Sequence, residues 1–356
     1  MKKSLGVSLP RAKIVPFETQ HWDPYARFAQ IQFGRNAYQT KRGYLDWLYE
    51  ENPSVKNGYA GCSIAVLETG EVVGCVHKMY QKWNCDGQSV TLPAIHNLAV
   101  RDDYRTGLGS LLLLSSLHGE ELAFIPGVAQ DQTAIYERLK FHRLPARWYR
   151  TPVRPIQGAF RLLQANWKKD FVRPAVNLER VAGWFNQNSD RRLLSETFPS
   201  DTTLREMIET LALIPNTPNP FPLWDLSGFR WRFFHPKGPR HLLITYRSRT
   251  GLQFIILSLG PHRGAVVTRV ISIHTQDIES TTLLLQAART VAKKVGDFLL
   301  SYCADTRKEE FLREAGWRTS GRQPSSYLFS KRKLSIGPNW QVGGESGDFG
   351  FEAILT

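Results

Sequence analysis

The chain has 356 residues, long for one domain of ordinary size and suited to two. Apolar residues make up 42% of it and aromatic ones 12%, with ten tryptophans and no polar low-complexity tract, which excludes an intrinsically disordered chain. A formal net charge of +14 fits an acidic partner, whether nucleic acid, an anionic membrane surface or a polyphosphate cofactor, without choosing among them.

The first ten residues contain Lys2 and Lys3 but no apolar run of signal-peptide length, and no later segment reaches the uninterrupted apolar length of a membrane span. The expectation is a soluble, cytoplasmic protein. Cys62, Cys75, Cys85 and Cys303 match neither a zinc site nor a disulfide framework and read as free thiols in strands or cores, with no metal implied. The basic residues lie in scattered short clusters, as in Lys168-Lys169, Lys293-Lys294 and Lys331-Arg332-Lys333, and form no arm or tail.

Along the chain, "SIAVLETGEVVGCV" (63 to 76) predicts a β-hairpin turning at Thr69-Gly70. Two further strands are expected around 78 to 83 and 89 to 100, separated by the turn-like Asn84-Cys85-Asp86-Gly87. The period then changes. Residues 111 to 122 carry apolar residues at helical spacing, 122 to 128 is a short apolar run, and 133 to 139 is again helix-like, so antiparallel strands give way to strand, helix, strand, helix. Pro145, Pro152, Pro155 and Gly158 then suit a boundary.

Beyond it the first half is echoed. "DWLYEENP" (46 to 53) is answered by "RWRFFHP" (230 to 236), and the hairpin at 63 to 76 by "HLLITYRSRTGLQFIILSL" with Thr250-Gly251 at its turn. "STTLLLQAARTVAKKV" answers the helix at 111 to 122, and "FLREAGW", ending at Trp317, answers "IYERLKF", ending at Phe141. Four echoes in one order predict two copies of one fold. The expected division is residues 1–152, 153–334 and a Gly-rich carboxy-terminal tail, 335–356, that packs back on a domain.

One difference between the copies bears on function. In "VRDDYRTGLGSLLL" (100 to 113), Gly107 and Gly109 stand between a strand and a helix, where bare amides and the positive end of the helix dipole cradle an anion. Arg105 adds a fixed cation, and the Ser110 hydroxyl either caps the helix or meets the ligand. A plain tight turn is the competing reading. The corresponding stretch of the second half, "HTQDIES", has no glycine and does not repeat whatever the first loop does.

The dinucleotide fingerprint and the Walker loop are both absent. The loop taken together with Tyr136 in "AIYERLKF" instead resembles the GNAT superfamily of N-acetyltransferases, over roughly residues 20 to 150. The loop is one residue shorter than the family's common form, leaving Tyr104 at the usual Arg/Gln position, and Lys140 stands where the family has glycine. The resemblance implies an α/β (α+β) fold of two tandem GNAT-like domains, each a mixed, largely antiparallel central sheet flanked by helices. It also implies acetyl-CoA or another acyl-CoA as cosubstrate and direct transfer of the acyl group to an amine. Arg105, Thr106, Gly107, Leu108, Gly109 and Ser110 would bind the pyrophosphate. Backbone groups of the strand at Leu98 and Val100 would hold the pantetheine arm and thioester carbonyl, and Tyr136 would protonate the departing thiolate. Asp131, Gln132 and Thr133 lie where the family often contacts CoA.

The general base is open. His96, on the strand leading into the loop, belongs to a residue type that titrates near neutrality, but a packed strand histidine or a water chain serves equally. Glu68 falls in a hairpin turn, Glu137 is expected to point away from the cleft, and His118 reads as a surface residue. The tandem layout is similar also to Fem-type aminoacyl-tRNA-dependent transferases and to N-myristoyltransferases. A non-catalytic acyl-CoA-binding scaffold is the third alternative, and nucleic acid is permitted by the charge without being favoured.

Overall fold

The computed structural model describes residues 11–35, 37–55, 61–85, 87–105, 107–128, 132–144, 146–156, 176–212, 220–262, 265–303, 306–319, 325–331, 340 and 346. The chain opens with β1 (Lys13–Pro16), α1 (Trp22–Phe33) and a short α2 (Arg42–Leu45) that runs into a wide helical turn at Asp46–Glu50. Then come β2 (Cys62–Val66), β3 (Val72–Cys85), β4 (Gln88–Val100), α3 (Leu108–Ser116), β5 (Leu122–Val128), α4 (Thr133–Arg138) and β6 (His142–Leu144). After β7 (Arg147–Pro152) and α5 (Leu178–Asn188) follow β8 (Leu193–Glu196), α6 (Asp201–Ala212), β9 (Phe221–Pro222) and α7 (Leu226–Phe234). The last elements are β10 (Leu242–Ser248), β11 (Gly251–His262), β12 (Ala265–His274), α8 (Ile278–Val295), β13 (Phe298–Cys303), α9 (Thr306–Glu314), β14 (Arg318–Thr319) and β15 (Ser325–Ser330).

These strands form two mixed sheets flanked by helices. The first runs β1-β2-β3-β4-β5-β15-β6, with β9 laid against β3, and the second runs β8-β10-β11-β12-β13-β7-β14. Among the described residues only β4 with β5 and β12 with β13 pair in parallel. The two orders match place by place, except that each sheet takes its sixth strand from the other half of the chain. β15 fills the place between β5 and β6, and β7 fills the place between β13 and β14. A cut between residues 152 and 153 therefore does not coincide with the division between the sheets.

The strands around 72–76 and 78–83, separate in the sequence reading, form one strand of 14 residues. No turn residue interrupts it at His77, which is fully buried and pairs with Cys62 on one side and His96 on the other. The turn at 84–87 is where it was expected, held by the Asn84 side-chain oxygen accepting from the Gly87 amide at 2.9 Å.

Each sheet buries both faces. On one face of the first sheet, α3 and α4 pack through Leu112, Leu113 and Tyr136 against Val76, Ile95 and Ile125. Its other face meets α1, the turn at 46–50 and the second half of the chain, in a cluster that includes Trp47, Met79, Trp83, Trp231, Tyr302 and Trp340. The second sheet carries α5 and α8 on one face, and α6 and α7 on the other.

The echo between "DWLYEENP" and "RWRFFHP" turns out to be a contact. Trp47 and Trp231 stack with ring centroids 5.0 Å apart and planes 20° from parallel. Each indole N–H donates to the other residue's backbone carbonyl, Trp47 to Trp231 at 3.0 Å and Trp231 to Trp47 at 2.8 Å. A reciprocal pair of this kind is what a two-fold axis produces, here within one chain. Of the tail expected to pack back on a domain, Trp340 is buried against Trp83 at 5.6 Å, while most of the tail lies outside the described residues.

Next to α7, His241 is 1% exposed and its Nδ1–H donates to the Phe233 carbonyl at 2.9 Å. Burial, aided by the nearby Arg232 guanidinium and opposed by that hydrogen bond, lowers its pKa from 6.5 to about 3. The unfolded chain therefore takes up a proton at this site as pH falls through 6.5, and the folded chain does not until about 3. Stability is full above 6.5 and declines across that window, by about 2 kcal/mol at pH 5 from this group alone. In urea titrations at pH 7 and pH 5, His241→Gln should lose less stability between the two pH values than the parent, by about that amount.

Candidate active site

The fourth strand of the first sheet departs from regularity where the site is expected. Between Cys75 and His77 the register of β3 with β4 shifts by one residue, so β4 carries an extra residue there, and Asn97 takes a left-handed conformation, φ +52°. Asparagine tolerates this because its side chain finds local partners. The Asn97 amide donates to the Tyr38 hydroxyl at 2.8 Å and accepts from the Gln39 amide at 2.9 Å, while its backbone carbonyl takes a 3.4 Å contact from the Cys75 thiol.

Just before this bulge the parallel partner leaves. β4 pairs with β5 at a single position, Ala94 with Phe124, and β5 then continues along β15. Among the described residues the edge of β4 from Ile95 to Val100 has no ladder partner in β5, which leaves backbone groups on that side without a sheet partner there. Leu98 and Val100 lie on this stretch, with side chains against the cluster that also holds Leu108 and Tyr136.

The loop follows directly. Arg101 is held by Asp103, 2.7 Å from its Nε, and by Glu71, and its guanidinium lies 4.9 Å from the centre of the Tyr104 ring. Tyr104 is only 6% exposed and packs under the loop, so the aromatic at the usual Arg/Gln position serves as a plug. Arg105 is exposed and pairs with Asp102 at 2.7 Å. Gly107 caps α3 with φ +101° and, having no side chain, offers the first amides of the helix no capping oxygen. A Cβ on Gly107 would meet nothing within 4 Å among the described residues, so the space beside the amino-terminal, positive end of α3 is open there. Ser110 sits within the first turn of α3 and does not cap it. Thr106 and Asp131 lie outside the described residues.

The second half differs at the matching place. There α8 is capped by Asp277, whose carboxylate accepts from the Ser280 amide at 2.6 Å and from the Ser280 hydroxyl at 2.9 Å. Its β12–β13 ladder holds four pairs, up to Val270 with Ser301.

Tyr136 is 3% exposed, stacked on Tyr327 of β15 at 5.1 Å and edge-on to Phe141 at 5.5 Å. Burial pushes its pKa up to about 12, so the phenol keeps its proton at neutral pH. Lys140, in the place of the family's glycine, adopts φ +60° as the chain closes α4 with the Phe141 amide donating to the Tyr136 carbonyl at 3.0 Å. In the echoing segment Gly316 does the same at φ +80°, with Trp317 donating to Leu312 at 2.9 Å.

His96 is also buried, at 6%, but on the opposite face of the sheet from Tyr136. Its ring meets that of His77 edge-on at 5.6 Å, and its Nδ1 lies 2.9 Å from the Asn97 amide nitrogen. His77 in turn is clasped by two hydroxyls, Tyr25 at 3.0 Å from Nε2 and Tyr49 at 2.6 Å from Nδ1. Leu98, Val100, Leu108 and Tyr136 therefore come together on one face, and His96 joins a separate polar group with His77, Asn97 and three tyrosines. Glu68, Gln132, Glu137 and His118 are exposed, and Glu137 accepts a hydrogen bond from the Tyr327 hydroxyl at 3.2 Å.

Sequence reasoning missed His77 and Asn97. A signal for the first was present: counting back from the turn at Asn84 and Ser89 sets His77 opposite His96. Nothing in the sequence marks Asn97 as the bulge.

Among the described residues no cluster of His, Cys, Asp and Glu could hold a metal ion, and no helix is long and apolar enough to cross a membrane. No protein-family profile matches the sequence, and no curated protein is significantly similar to it. Solved structures are. The chain is similar to Saccharomyces cerevisiae N-myristoyltransferase with bound myristoyl-CoA, at TM-score 0.60 and 11% identity, over 90% of this chain and 79% of that one. It is similar as well to a GCN5-related N-acetyltransferase from Anabaena variabilis, at TM-score 0.56 and 10% identity, over 89% and 72%. A third, from Kribbella flavida, gives TM-score 0.53 and 14% identity, over 90% and 71%. The mixed sheets, the parting of β4 from β5 and the helix that begins at Gly107 thus sit in the fold shared by GCN5-related N-acetyltransferases and N-myristoyltransferases.

Proposed function

We propose that the protein is an acyl-CoA-dependent N-acyltransferase with one cofactor site, in the first half of the chain, and a second half that shapes the acceptor side. The observation that carries the reading is the unpaired edge of β4 beside the open amino terminus of α3. An extended pantetheine arm suits the first, and a pyrophosphate suits the second.

In the proposed reaction an amine nitrogen attacks the thioester carbonyl carbon, the C–S bond breaks, and the amine loses a proton while the thiolate of CoA gains one. Tyr136 holds a proton at neutral pH and is the group assigned to the thiolate. His96, with its Nδ1 beside Asn97, is a candidate on the acceptor face. Arg105, Thr106, Gly107, Leu108, Gly109 and Ser110 are assigned to the pyrophosphate, and Leu98 and Val100 to the pantetheine arm. The acyl donor is acetyl-CoA or a longer acyl-CoA, and the two copies of one fold remain part of the proposal.

Calorimetric titration of acetyl-CoA, and separately of myristoyl-CoA, tests this beside a Gly107→Asp variant that places a carboxylate where the pyrophosphate would sit. Binding of one of them by the parent, weakened about a hundredfold in the variant, is expected, equivalent to about 2.7 kcal/mol. Failure of the folded parent to bind either one would overturn the reading and bring aminoacyl-tRNA forward as the donor.

A further inference from the structure

The parting of β4 from β5 has a closed end. Among the described residues the two strands meet at Ala94 and Phe124 alone, and Phe124 pairs on its other side with Leu328 of β15. On the face toward the second half, Ala94, Phe124, Leu328 and the cross-strand Met79 are each no more than 3% exposed. On the opposite face Ile95 and Ile125 are buried at the same level, at 1% and 2%. Solvent reaches almost none of these side chains, so the space beside the unpaired edge of β4 ends here.

Behind Phe124 the floor is aromatic. Its ring lies 6.2 Å from that of Trp83, and Trp83 lies 5.6 Å from Trp340, both measured between ring centroids. Trp83 and Trp340 are each 1% exposed, so neither has solvent to move into. A close-packed group of three large rings gives way to an intruding chain only through strained rotamers or displaced backbone. Trp340 stands outside both sheets, in the tail, so its substitution leaves every ladder hydrogen bond in place.

We propose that this floor, Phe124 backed by Trp83 and Trp340, sets the length of acyl group the protein accepts, and that the donor carries a short or medium chain and not a myristoyl group. The proposal rests on the acyltransferase reading, which lays the pantetheine arm along β4 from Val100 to Leu98. From Leu98 to Ala94 the strand runs on for four residues, about 13 Å. Contact with the floor takes up about 4 Å of that. An extended alkyl chain advances about 1.3 Å per carbon at bond lengths of about 1.5 Å. About seven carbons therefore fit between the end of the arm and the floor, and a myristoyl chain, about twice as long, does not.

Calorimetric titration of free CoA and of its acetyl, hexanoyl, decanoyl and myristoyl thioesters into the parent measures the limit. Affinity should rise from acetyl-CoA to hexanoyl-CoA, by up to about fourfold per methylene, and fall at least about tenfold from hexanoyl-CoA to decanoyl-CoA and myristoyl-CoA. In Trp340→Ala, decanoyl-CoA should recover to within about threefold of hexanoyl-CoA, because Trp83 and Phe124 gain space to shift into. Trp340→Leu covers the case that the alanine variant does not fold, and should give part of the same recovery. A parent that binds myristoyl-CoA as tightly as hexanoyl-CoA would overturn the proposal, as would a folded variant with the parent's profile. If free CoA and all four thioesters fail to bind the folded parent, the acyltransferase reading fails and the proposal falls with it. If free CoA binds and the chain lengths do not differ, the proposal alone is overturned.

Discussion

Ending the chain after Pro324, which removes β15, is expected to collapse the first sheet and with it the proposed acyl-CoA binding, although every residue of the Gly107 loop is retained. Ser326, Tyr327 and Leu328 are each fully buried, and β15 is hydrogen-bonded to β5 on one side and β6 on the other. Loss of Tyr327 alone, with its stack on Tyr136, is worth about 3–5 kcal/mol, and Leu328 adds about 2–5. A domain stable by about 5–15 kcal/mol does not survive both losses together with an exposed strand edge. Urea unfolding followed by tryptophan fluorescence and near-ultraviolet circular dichroism decides it. A truncated chain with the parent's midpoint and slope would show that the first sheet stands without β15.

The second large effect concerns the tryptophan pair. Trp47→Ala and Trp231→Ala should each destabilise the protein by about 3–5 kcal/mol, because each removes a buried indole together with a hydrogen bond across the halves. The two losses should be similar in size and should not add. In the double variant the second substitution finds its stacking partner already gone, so the total should fall short of the sum by about 1–3 kcal/mol. Denaturant midpoints of the four proteins measure the coupling. Full additivity would mean that each ring is held by its own half alone.

The sequence was most legible where the backbone itself makes demands. The Asn84 to Gly87 turn set the register of the long hairpin, and glycines between a strand and a helix marked the turn into α3, since both depend on local conformation that few residues allow. The recurrence of a tryptophan before a proline reads as an echo of one half in the other, and the structure brings the two tryptophans into contact across 184 positions. What stayed hidden is non-local. Nothing in the alternation of "RWYRTP" or "SSYLFS" says which sheet will receive the strand, so the exchange of β7 and β15 could not be read. The separation of His96 from Tyr136 escaped for a related reason. Both residue types suit proton transfer, and only the pleat, which puts Ile95 on the Tyr136 side, sends His96 to the other face.

The aspartate at the start of α8 has a consequence for stoichiometry. A carboxylate fixed to the helix it serves never has to be recruited from solution, so it competes intramolecularly with any free anion for those amides. A chain whose sheets mirror each other so closely would otherwise be suited to hold two cosubstrate molecules at once. With one of the two helix ends occupied by its own side chain, the proposed transferase would take one acyl-CoA per polypeptide.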